Sequence, residues 1–338
     1  MHSSDRYLVV GQNGSPYSVK LRAVMRYRRL PFDWVLRTER NMAEFSDVKP
    51  LLMPMIRFPG EQQWRIDSTP IIDALEQRQP GRRSIIPDSP SYAFLAYLIE
   101  DFADEWLTKA MFHYRWGYSP DIKYASFWIA DDFFPDQKGE ARAAAAKGFA
   151  DRQIERMPLV GCTPENAPVI EETYRRTLKL LESHVGLHDY LFGTQPSIAD
   201  FGLFGQLKTL ATDPTPLAIM REQAQRTESW LRQLDDASGI GGAWYSGEEV
   251  LPDATVGLLR LAAETYLPFL VANAIATERG NDRLEIELLG QTYSQAPFGY
   301  QVKCLAALRE RFATLDKVTL KKISPLLEKT ECLRYFAE

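Results

Sequence analysis

The chain has 338 residues, 45% of them hydrophobic and 25% charged, with a formal net charge of -5. Those proportions belong to a globular protein with room for two domains, and the slight acidity gives no electrostatic reason to expect nucleic acid or an anionic membrane as partner. No apolar run is expected to be long enough to span a bilayer, no basic n-region leads into an apolar core at Met1 to Arg6, and the sparse cysteines Cys162, Cys304 and Cys332 suit a reducing compartment, so a cytoplasmic location is expected.

Taken in order, residues 7–11 read as a buried strand and 16–29 as a helix with Val19, Ala23, Val24 and Tyr27 on its inward stripe. Between them lies Gly14-Ser15-Pro16-Tyr17. Ser15 is a natural N-cap, and Pro16 fits the first helical position, where its missing N–H is not needed. The exposed amides of such a helix tip, with the dipole's positive end, favour a bound anion, including a thiolate. Phe32 to Arg37 alternates as a half-buried strand, and a weakly helical segment follows to about Val48. In the apolar run from Leu51 to Phe58, Pro54 belongs at a strand start or in a special turn. Gln63 to Asp67 reads as a hairpin partner, and a helix from Ser68 ends before Pro80-Gly81. Two parallel strands, a helical crossover, a hairpin and a covering helix give the order of a thioredoxin-like fold.

Residues 81–90 read as a linker, after which helices dominate: 91–112, an alanine-rich 139–157, 165–184, 197–210 and 217–234. Ser197 and Asp200 have capping-box spacing, a structural rather than a chemical feature. His184 and His188 are four apart, but Gly186 lies between them and no carboxylate is near, so no metal is expected. Gly239 to Gly242 lacks the spacing of a phosphate-binding loop and reads as a flexible turn. Beyond it, 251–276 and 297–315 look helical, and 284–289 reads as a strand or a linker. These apolar helices form either a small module or a layer wrapped on the helical region; wrapping is expected, since so small a separate core would be marginal.

The residues already quoted resemble those of a cytosolic glutathione transferase over about residues 7–235. Ser15-Pro16-Tyr17-Ser18 resembles the start of that family's first helix, where its serine and cysteine types place the active residue. Met53-Pro54 resembles the family's cis-proline position, whose preceding backbone pairs with the cysteinyl part of glutathione. Asp67-Ser68 resembles the acidic-serine pair that holds the γ-glutamyl end, and Ser197 to Asp200 the cap of the buried helix. The resemblance implies an α/β thioredoxin-like glutathione-binding domain at 1–82, an all-α helical domain at 91–240 and a mainly helical extension at 241–338. It also implies glutathione as co-substrate, no metal, and a homodimer that pairs the first domain of one chain with the second of the other.

On this reading Ser15 is the catalytic hydroxyl, with Ser18 and Asn13 as rivals, and Met53, Pro54, Asp67 and Ser68 bind glutathione. A hydroxyl donating to sulfur favours the thiolate, which in a free thiol is scarce at neutral pH. The Cys-Pro-Tyr-Cys relative of this motif could form a protein mixed disulfide; Ser15 and Ser18 cannot. Tyrosine-type relatives place their tyrosine at the position of Gly11. Phe112, His113, Tyr114, Trp116 and Tyr118, with Tyr17, are candidates for an electrophile pocket, although aromatics at helical spacing more often form core. Transfer of the glutathione thiolate to a small hydrophobic electrophile is the leading activity. Glutathione-dependent disulfide or peroxide reduction, or a non-catalytic scaffold, are its alternatives.

Overall fold

A computed structural model describes residues 5–336. Strand β1 (Tyr7–Gly11) pairs in parallel with β2 (Phe32–Leu36) through the crossover helix α1 (Pro16–Tyr27). On its other side β1 meets β3 (Met55–Arg57) antiparallel, and β3 pairs with β4 (Trp64–Ile66), giving the order β2-β1-β3-β4. Helix α2 (Ser68–Arg78) covers the sheet with buried Ile71, Ile72 and Leu75. This is the thioredoxin-like arrangement expected for the first eighty residues. The segment before the hairpin differs: it holds only a 3₁₀ turn at Met42–Phe45.

The helical part contains α3 (Pro90–Phe102), a π-turn at Ala103–Leu107, α4 (Thr108–Gly117), α5 (Ser119–Phe133), α6 (Gly139–Arg156), α7 (Ala167–Val185), α8 (Ile198–Leu210), α9 (Pro214–Gln223) and α10 (Gln225–Asp235). Helix α8 lies at the centre and is buried along almost its whole length. Its capping box is formed on both sides: the Ser197 hydroxyl accepts from the Asp200 amide, and the Asp200 carboxylate accepts from the Ser197 amide. Asp200 also accepts from the Leu191 amide at 3.1 Å, so one carboxylate fixes the preceding loop as well as the helix start. Gly205 lets α1 approach closely, since a Cβ there would sit 2.6 Å from the Pro16 carbonyl.

The extension adds α11 (Asp253–Glu264), α12 (Tyr266–Glu278), the hairpin β5 (Leu284–Leu288) and β6 (Gln291–Gln295), α13 (Gly299–Ala313) and α14 (Lys317–Lys329). Its helices pack on α3: Phe94 meets both Phe312 and Phe336, and the Tyr92 hydroxyl donates to the Glu249 carbonyl at 2.6 Å. The stretch Asp253–Glu278 corrects the expectation that no apolar run could cross a membrane, because its length and hydropathy would suffice. It is broken between α11 and α12 at Thr265, and 67% of its apolar window is buried against the rest of the chain. Its apolar character therefore serves the core.

Candidate functional site

The turn between β1 and α1 is built as its residues suggest. Ser15 is extended at φ -96°, its hydroxyl oxygen accepts from the Ser18 amide at 3.3 Å, and Pro16 follows in the first turn. As the cap uses only the oxygen's lone pair, the hydroxyl hydrogen is left to donate elsewhere. Ser15 lines a largely apolar cavity of about 360 Å³. Its two rivals are placed otherwise. Asn13 is engaged at both ends of its amide, giving to Asp132 and accepting from Arg22, each at 3.0 Å. Ser18 is fully buried beside Gly11 and lines neither cavity described here. At Gly11, a Cβ would lie 2.4 Å from the Trp34 ring, so the position of a tyrosine-type residue has no room for one.

A residue that sequence reasoning passed over holds this turn. Arg115 of α4 is buried, pairs with Asp213 at 2.7 Å and donates to the Gly14 carbonyl at 2.8 Å. It thereby ties the serine's turn to the helical part of the molecule. Its signal was a lone cation inside an aromatic run, a residue type rarely buried unless paired.

Of the aromatic candidates, Phe112 and Trp116 line the cavity with Ser15, as does Tyr17. Four apart, the first two share one face of α4. His113 and Tyr114 do not join them, which corrects the candidate pocket. His113 binds Glu171 through Nε2 at 2.9 Å, while Tyr114 stacks on Tyr118 and meets Tyr174 edge-on. Both sit on the other side of α4, against α7. In their place the wall includes Phe133 of α5 and Phe149 of α6. The amine of Lys109 also borders this cavity, but it is spent on the Val160 carbonyl and on Gln295 of the extension. Burial draws it down to about 8.

Tyr17 and Met53 stand where this cavity meets a second one of about 620 Å³. The Met53–Pro54 bond is cis, as the resemblance implies, and so is Lys49–Pro50, which nothing in the sequence had indicated. Asp67 and Ser68 line the second cavity at the start of α2. Asp67 has φ 72°, and its carboxylate does not cap α2. The Ser68 hydroxyl is buried and has no hydrogen-bond partner among the described residues. Glu100, Asp101, Asp104 and Glu105 form the facing acidic wall. Lys20 of α1 reaches this wall, with its ammonium 2.6 Å from Glu100 and paired also with Asp104.

Asp101 is pushed up to about 7, first by burial and then by the charge of Glu100, against the pull of the Tyr266 hydroxyl donating to it at 2.7 Å. The sign follows from linkage. A carboxyl raised in the fold contributes stability that is complete below its unfolded value of about 3.9 and is lost as pH rises to its folded value. Asp101→Asn should therefore flatten the fall in stability between about pH 4 and pH 7, read as urea midpoints across that range for both proteins. Parallel curves for variant and wild type would show that Asp101 is not raised.

Sheet order, cis-proline and capped central helix together define a thioredoxin-like unit joined to an all-helical one, with two adjoining cavities beside the first helix tip. Residues 14–78 match the family model for the glutathione S-transferase N-terminal domain, and residues 140–233 match that for the glutathione S-transferase C-terminal domain. The chain belongs to the glutathione S-transferase superfamily. Among solved structures it is similar to the β-etherase LigF of a Sphingobium strain, with 18% identity, TM-score 0.48, and 68% of this chain and 94% of that one covered. A GST-like protein from Pseudomonas syringae aligns at 14% identity and TM-score 0.45, covering 77% of this chain and 75% of that one. A glutathione transferase family member from Pseudomonas fluorescens with two glutathione bound aligns at 12% identity and TM-score 0.43, covering 69% and 89%. No curated protein matches the sequence.

Proposed function

We propose that the protein is a glutathione transferase that activates the glutathione thiol at Ser15 for attack on a small hydrophobic electrophile. The observation that carries this reading is the position of Ser15. It caps α1 with its oxygen and keeps its hydrogen to donate, at the edge of an apolar aromatic cavity. On the far side of Tyr17 and Met53 lies the polar cavity of Asp67 and Ser68. Glutathione fits across that junction, with its γ-glutamyl end at Asp67-Ser68, its cysteinyl backbone at Met53, and its sulfur near Ser15.

The chemistry follows from the helix tip. A free thiol has a pKa near 8.5. Donation from the Ser15 hydroxyl and the positive end of α1 both favour the charged sulfur, and the proton leaves to solvent. The thiolate then forms the carbon–sulfur bond, and the leaving group departs with its electron pair. Phe112, Trp116, Phe133 and Phe149 would hold the electrophile by apolar contact and exclude water around it. Dithiol redox by the protein has no support in its cysteines: Cys162, Cys304 and Cys332 are all buried and unpaired, with burial raising each thiol.

A cytoplasmic location belongs to the same reading, and the unpaired thiols support it. A homodimer that pairs the first domain of one chain with the second of the other belongs to it too, through faces other than α3, which is buried along almost its whole length. The test is calorimetry. Glutathione should bind with a dissociation constant below about 1 mM, a threshold equivalent to roughly 4 kcal/mol. No heat of binding at millimolar ligand would overturn the assignment. With binding established, turnover of aryl halides or epoxides decides for transfer over reduction.

A further inference from the structure

The second cavity is closed by the extension. Its floor is the start of α2, its wall is α3 with the following π-turn, and its roof is α13, which contributes Tyr300, Lys303, Cys304 and Arg311. Arg311 is bound to Asp73 at 2.6 Å and lies 3.6 Å from the centre of the Tyr97 ring, so the roof is anchored at its far end. At the near end the Tyr300 hydroxyl donates to the Asp67 carboxylate at 2.7 Å.

That last bond bears on the site. An aspartate at an N-cap ordinarily turns its carboxylate onto the free amides of its own helix. Asp67 does not cap α2, and its left-handed backbone leaves the carboxylate to a partner 233 residues away in the chain. Tyr300 uses one oxygen of the pair, and a carboxylate offers further lone pairs for a second donor. Two more groups in the cavity have unspent capacity: the Ser68 hydroxyl and one oxygen of Asp104, both buried. A hydroxyl at a helix N-terminus beside two carboxylates suits a zwitterion, its carboxylate towards Ser68 and its ammonium towards Asp67.

We propose that Tyr300 is a positioning residue that orients Asp67 towards the α-ammonium of the γ-glutamyl group, so that the extension completes the glutathione site within one chain and selects ligands with a free α-amine. This rests on the glutathione reading above. The selection arises because an acylated amine carries no charge for Asp67 to meet and leaves a half-buried carboxylate short of its partner.

The test compares glutathione with N-acetylglutathione by calorimetry, on the full chain and on Tyr300→Phe and Asp67→Asn. Wild type should bind glutathione at least about tenfold tighter than the acetylated form, the scale of a hydrogen-bonded charge. Tyr300→Phe should weaken glutathione about tenfold and change N-acetylglutathione by less than about twofold, raising KM with kcat unchanged. Asp67→Asn should abolish the discrimination. If Tyr300→Phe keeps the wild-type ratio, or weakens both ligands alike, the proposal is overturned while the glutathione assignment stands. If wild type binds neither ligand, both fall together.

Discussion

Lys20→Met is expected to destabilise the fold by about 3–5 kcal/mol, the scale for removing one partner of a buried ion pair. Lys20 is wholly buried, with its ammonium on Glu100 and Asp104 and within 3.5 Å of the Thr69 hydroxyl. Burial disfavours that ammonium, but the two carboxylates outweigh burial and raise its pKa, so it stays charged. Without it, Glu100 and Asp104 are left facing one another in the interior. The substitution thus removes no more volume than a methionine restores, yet strands two acids. Urea unfolding at neutral pH should show a midpoint far below wild type. The triple variant with Glu100→Gln and Asp104→Asn should regain most of the loss, because the stranded charges are gone. A midpoint for Lys20→Met close to wild type would show that the cluster contributes little.

The ion cluster also shows where the sequence was legible and where it was not. Lys20 stands among Pro16, Ala23, Val24 and Tyr27 on the buried stripe of α1, and Glu100 ends the run Tyr97-Leu98-Ile99. A charge on an apolar stripe was a readable anomaly. Its partner was not readable, because the pair spans 80 residues and only the packing of both α1 and α3 on the central helix α8 brings it together. The same holds for Arg115, whose bond to Gly14 joins residues 101 apart. By contrast, the serine cap, the proline after Met53 and the Ser197 box are local devices, each contained within a few residues, and each appears where its pattern placed it.

Some element boundaries were missed. The stretch 217–234 was expected as one helix but holds parts of α9 and α10, divided at Ala224. Likewise 251–276 divides at Thr265. The second break has a local cause: Pro268, in the first turn of α12, has no N–H to give the Glu264 carbonyl, so the helical ladder cannot run through Thr265. Helix α5 was passed over although Ser119-Pro120 marks its start, and the lysine-rich α14 although Asp316 caps it from the Thr319 amide. The strand at 284–288 was offered only as an alternative to a linker, and its hairpin partner at 291–295 was missed. Within the candidate pocket, the helix expected over 91–112 stopped at Phe112, whereas α4 runs from Thr108 to Gly117 and carries Phe112 to Trp116 together. Only the packing of α4 between the cleft and α7 separates the Phe112 and Trp116 face from that of His113 and Tyr114.

Ser15→Ala is the substitution expected to cost most activity. If its hydroxyl donates to the sulfur, turnover should fall about 10²–10³-fold, as when a single oriented donor to a developing or bound anion is removed. Glutathione affinity should change little, since Asp67, Ser68 and the backbone at Met53 remain. The thiol of the bound ligand should move back towards its free value near 8.5, which a pH–rate profile or the thiolate's ultraviolet absorbance reads directly. The change also removes the cap bond to the Ser18 amide, which costs about 1 kcal/mol of stability. That loss is separable by design. Ser15→Asp keeps a capping oxygen but offers no hydroxyl hydrogen at neutral pH, and it sets a second negative charge beside the sulfur. It should therefore retain stability while losing at least as much turnover as alanine. Should Ser15→Ala bind glutathione and turn over like wild type, with the thiol's titration unmoved, Ser15 is a helix cap only, and the activating donor must be sought among Tyr17, Gln12 and the amides of the turn.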